Sequence, residues 1–103
     1  MAAPEDADSV TWLILVYQLP AKPAGLGALV RRRLTTAGAV YLSRACAVAS
    51  AGPGGRAERV MRRMRATIAD AGGTAMLLRA VALGGQEQII AAMETARDRE
   101  DAG

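Results

Sequence analysis

Eleven of the thirteen basic residues lie between Lys22 and Arg79: Lys22, Arg31, Arg32, Arg33, Arg44, Arg56, Arg59, Arg62, Arg63, Arg65 and Arg79. Only Glu58 and Asp70 oppose them in that stretch, so eleven positive charges against two negative leave +9 inside a chain whose overall balance is +3. Clustered guanidinium groups suit phosphates, because the planar fork matches phosphate oxygens and each contact releases a condensed counterion. The rest of the chemical inventory is small. There is no His, one Cys and no carboxylate cluster in the middle of the chain, so the usual constellations of acid–base, nucleophilic and metal-assisted catalysis lack their parts. Charge of this layout points to binding a polyanion, with a solvated, Arg-rich surface as the plainer account.

The remaining candidates are weaker. Cys46 needs a basic neighbour to become a thiolate, and Arg44 is the one at hand; a small buried apolar side chain is the simpler role. Met61, Met64, Met76 and Met93 lack the Cys or His that soft-metal sites add, and read as core fillers. The stretch AGPGGR at 51–56 places glycines before a helix start with Arg56 beside them, a layout that can cradle a phosphate, but it lacks the GK[ST] ending of a P-loop. Trp12, Tyr17 and Tyr41 are the only aromatic residues. They read as structural or interface residues of strands, and they are too few for the stacking platform that single-stranded nucleic acid needs. Duplex is therefore the expected nucleic-acid partner, and no cofactor or metal is expected.

These residues need elements to hold them. Residues 11–19, TWLILVYQL, are β-branched, aromatic and nearly continuous in apolarity, as in a central strand. Pro20, Pro23, Gly25 and Gly27 break the run, and a helix follows from near Ala24 with Leu26, Leu29, Val30, Leu34 and Ala37 on one face. Arg31 and Arg32 point outward from it. Arg33 falls within the apolar arc, which predicts a buried or interface contact to a carboxylate such as Asp70 or to backbone carbonyls. Gly38 ends the helix.

Residues 39–50 form strand material interrupted by Arg44. It is either one bent strand with a bulge at Arg44 or two short strands joined near Ser43 and Arg44, and two strands are favoured. The helix over 56–71 carries Ala57, Val60, Met61, Met64, Ile68 and Ala71 on one side and Arg56, Arg59, Arg62 and Arg63 away from them. A strand over 74–83 and a last helix with Ile89, Ile90, Met93 and Ala96 inward complete the order.

That order, β-α-β-β-α-β plus a C-terminal helix, predicts an α+β chain with a ferredoxin-like antiparallel sheet and both main helices on one face. Residues 1–9 read as a disordered acidic tail, 10–97 as one domain and 98–103 as a frayed end. The longest apolar run, Val10–Tyr17, is far short of the ~20 residues that span a bilayer. A lone thiol and a tail without signal-peptide order suit the cytoplasm.

WLILVYQLPAKP at 12–23, RRL at 32–34, GAVYL at 38–42 and AGG at 71–73, in this order, resemble the N-terminal domain of the chromate-resistance regulator ChrB family. The likeness covers nearly the whole chain, and it is similar in pattern to ferredoxin-like modules of PaaX-type repressors and of the CRISPR spacer-acquisition protein. The resemblance implies a cytoplasmic, dimeric transcriptional regulator of chromate resistance. Members of the family carry a second, larger domain to which metal sensing is attributed, so this sequence reads as a stand-alone copy without it. RACAVASAGPGG at 44–55 also departs from the family, where a bulkier strand ends in Leu-Pro.

Three roles follow. The first is a DNA-binding regulatory module in which Arg31, Arg32, Arg56, Arg59, Arg62 and Arg63 form one patch. The second is a non-catalytic accessory or scaffold subunit of another protein, and the third a metal-free small enzyme with a dimer cavity. A 51% hydrophobic chain of 103 residues also has more apolar sheet than its helices can cover, which predicts a homodimer.

Overall fold

A computed structural model describes residues 10–22, 24–52 and 54–102; the acidic segment expected at 1–9 lies outside them. The elements are β1 (Thr11–Gln18), α1 (Leu26–Thr36), β2 (Val40–Ser43), β3 (Cys46–Ser50), α2 (Arg56–Asp70), β4 (Thr74–Val81) and α3 (Gln86–Ala102). Four antiparallel strands pair in the order β2-β3-β1-β4. This is the ferredoxin-like arrangement with a C-terminal helix, as the element order predicts. Residues 40–50 are two strands, and Arg44 sits exposed in the turn between them, with the ladder irregular between Tyr41 and Ser43. A guanidinium needs water, and the turn supplies it without interrupting either strand.

The two crossovers lay α1 and α2 on one face of the sheet. Apolar residues four apart in α1 (Leu26, Val30, Leu34) and three or four apart in α2 (Met61, Met64, Ile68) turn one stripe of each helix inward. They close on Leu13, Leu15 and Tyr17 of β1 and Ala47 and Ala49 of β3. Small alanines on β3 let the helices approach the sheet. Each buried Leu or Met contributes roughly 1.5–3 kcal/mol of apolar transfer, so this layer holds most of the stability.

Helix α1 stops where Gly38 takes a φ of +99° and the Ala39 amide reaches back to the Leu34 carbonyl at 3.0 Å. Gly73, after α2, is required for a different reason. A Cβ there would lie 2.5 Å from the Gln18 carbonyl oxygen and 2.8 Å from Ile68 Cγ2, so the α2–β4 connection can press onto β1 only without a side chain.

Alternation sends the even-numbered residues of β1, β3 and β4 to the second face, with Val40 of β2 opposite Val48 and, past the irregular step, Ser43 opposite Cys46. Helix α3 leaves the β4 edge and reaches β2 at the opposite edge, crossing this face and leaving Trp12 and Val48 buried. It continues through residues 98–102, where the sequence reading expects fraying. No Gly or Pro interrupts 86–102, and Ala, Glu and Arg favour helix. Among the described residues no helix is long and apolar enough to cross a membrane.

Candidate nucleic-acid interface

Both helices that carry the arginines lie on the same side of the sheet, but the helical repeat divides the expected patch. Positions seven apart differ by about 20° around a helix, so Arg56 and Arg63 share one flank of α2; Arg62, about 100° from Arg63, lies on the other flank with Glu58. On that second flank Arg62 Nε and Nη2 donate to Glu58 Oε2 at 2.9 and 2.7 Å, and Arg79 Nη2 donates to Glu58 Oε1 at 2.9 Å. Hydrogen bonding from Arg62, with the Arg79 charge beside it, holds the Glu58 carboxyl below its ordinary range. Arg65 Nε donates to the Ala75 carbonyl at 3.3 Å. These groups line a shallow cavity of about 370 Å³ against β4 that already contains a carboxylate.

The first flank faces α1 and is different in kind. Arg32, Arg33, Arg56 and Arg63, with Thr36, line a groove of about 360 Å³ between α1 and α2, floored by Val60 and Met64. No carboxylate lines it, and among the described residues none of the four guanidinium groups makes an ion pair. Four forks around one opening, with no carboxylate among the lining residues, suit it to attract an anion.

Of the two settings expected for Arg33, burial or an interface, burial within the chain does not occur: Arg33 is exposed, and among the described residues it makes no ion pair with Asp70 or any other carboxylate. Each step of four residues turns the stripe Leu26–Val30–Leu34 about 40° further, so by Leu34 the buried face has moved about 100° from Arg33. The side chain is left at the groove margin.

Two further members of the expected patch are engaged elsewhere. Arg59 donates to the Gly54 carbonyl, bracing the loop before α2. The Arg31 guanidinium carbon lies 4.3 Å above the Tyr41 ring, a cation–π contact. Tyr41 in turn shares a 2.6 Å hydrogen bond between hydroxyls with Tyr17, the rings meeting edge to face at 86°. Burial, then the Tyr17 hydrogen bond, pushes the Tyr41 hydroxyl far above the ordinary phenol range despite Arg31, so it is a neutral packing group at physiological pH. Trp12 is buried on the other face, and its indole N–H finds no acceptor among the described residues.

The i, i+4 spacing of Glu58 and Arg62 is visible in the sequence and marks that arginine as paired. The part played by Arg79 is not, because only the fold sets β4 beside α2. Among the described residues no three His, Cys, Asp or Glu side chains gather as a metal site would need. No family model, curated protein or solved structure matches the chain.

Proposed function

We propose that this chain is a regulatory module that binds duplex DNA through phosphates, with the α1/α2 groove as the centre of contact. The observation that carries this is the grouping of Arg32, Arg33, Arg56 and Arg63 around one opening without a carboxylate. Such a surface neutralises backbone charge without reading bases, and the scarcity of exposed aromatic rings favours duplex over single strand. The resemblance to the N-terminal domain of the ChrB family supports a cytoplasmic role in transcriptional regulation of the chromate-resistance type, performed by a symmetric pair.

A fluorescence-anisotropy titration with a labelled duplex across a salt series tests the proposal. Each phosphate contact contributes about 0.9 to the slope of log affinity against log salt. Arg56→Ala with Arg63→Ala should flatten that slope by about two units and weaken binding regardless of sequence. Unchanged affinity and slope in the double variant would overturn the proposal.

A further inference from the structure

We infer that two copies of this chain pair through the part of the second sheet face that α3 leaves open. The inference names the contact surface for the symmetric pair proposed above, and it does not depend on DNA binding. Arg79 is the one charged residue in β1 to β4 and it faces the helices, where it reaches Glu58, so this face carries no charged strand residue. Beyond the cover of α3 the face stays exposed: Val16 is 40% accessible, Met76 55% and Leu78 40%, and Leu42, at the irregular step of β2, is 54% accessible. The register sets Cys46, Val16 and Met76 side by side on β3, β1 and β4, with Ser43 of β2 opposite Cys46, so an uncharged row crosses the sheet.

A second copy fits this surface better than a charged partner does. The helical face is basic, so two copies repel through it, whereas the uncharged face on the far side meets its own kind without burying a charge. Across a two-fold axis the same row faces itself, as an isologous contact requires. The exposed apolar side chains of Val16, Met76 and Leu78 are grouped on the sheet face opposite the basic helices, and Ile89, Ile90 and Met93 of α3 are also only partly buried; apolar side chains grouped in this way suit an interaction surface.

Light scattering between 10 and 200 µM reads the outcome, with mass expected at twice the 10.7 kDa of one chain. Val16→Lys with Met76→Lys changes two exposed positions and should return the mass to that of one chain while leaving the far-ultraviolet circular dichroism and the cooperative melt in place. Cys46 supplies a second measurement. A short bismaleimide should link it to its counterpart in the wild-type pair and fail to do so in the double lysine variant. A wild-type mass of one chain at 200 µM, or a pair that survives both lysines, would overturn the inference. A monomer that still binds duplex would overturn the interface alone and leave the DNA reading standing.

Discussion

Arg62 holds Glu58 through two hydrogens at once, Nε and Nη2 both meeting Oε2 at 2.9 and 2.7 Å. The carboxylate therefore offsets part of the charge on one flank of α2, which Arg65 and Arg79 share, and no carboxylate lines the groove on the other flank. Arg62→Ala should accordingly change the salt slope of duplex binding by less than half a unit, whereas Arg63→Ala should lower it by about one. Equal effects of the two substitutions in the same titration would show that the ion pair opens on DNA.

Glu58→Gln should strengthen duplex binding, because it releases Arg62 and Arg79 from their shared carboxylate. The same variant has a pH signature. The folded-state value of Glu58 is depressed below its unfolded value, so its contribution to stability is present above the ordinary Glu range, about 4.3, and is lost as pH falls through the folded value. Melting curves of wild type and Glu58→Gln should differ slightly at pH 6 and converge toward pH 2. A gap that widens on acidification would contradict this sign.

The hydroxyl pair of Tyr17 and Tyr41 predicts non-additive costs. Tyr41→Phe strands the Tyr17 hydroxyl in a buried site and should cost about 1–3 kcal/mol in urea unfolding. Removing both hydroxyls leaves no unpaired group, so Tyr17→Phe with Tyr41→Phe should cost less than Tyr41→Phe alone. Additive losses would mean that water already satisfies each hydroxyl.

Gly73→Ala should destabilise by about 1–3 kcal/mol, since its methyl meets the Gln18 backbone at 2.5 Å and neither strand can yield without breaking the β1–β4 ladder. Gly84→Ala, with nothing within 4 Å of the added carbon, serves as the control and should shift the melting temperature by less than a degree or two. A harmless Gly73→Ala would show that the α2–β4 connection moves freely.

Local pattern determined the elements, because period and punctuation are properties of neighbours in the chain. The near-continuous apolar run of β1, the stripes of α1 and α2 and the glycine stops at 38 and 72–73 each fall where the sequence alone sets them, and their order specifies the sheet. Charge sign along the chain was equally legible, including the basic block between Lys22 and Arg79. Tertiary structure decided which of those charges remain unpaired. Glu58 takes Arg79 only because β4 lies beside α2, Arg31 settles on Tyr41 only because α1 packs over the sheet beside β2, and Arg33 opens into a groove that exists only between two packed helices. A guanidinium is freed or neutralised by what stands within about 4 Å of it, and that distance is set by packing between segments far apart in the chain.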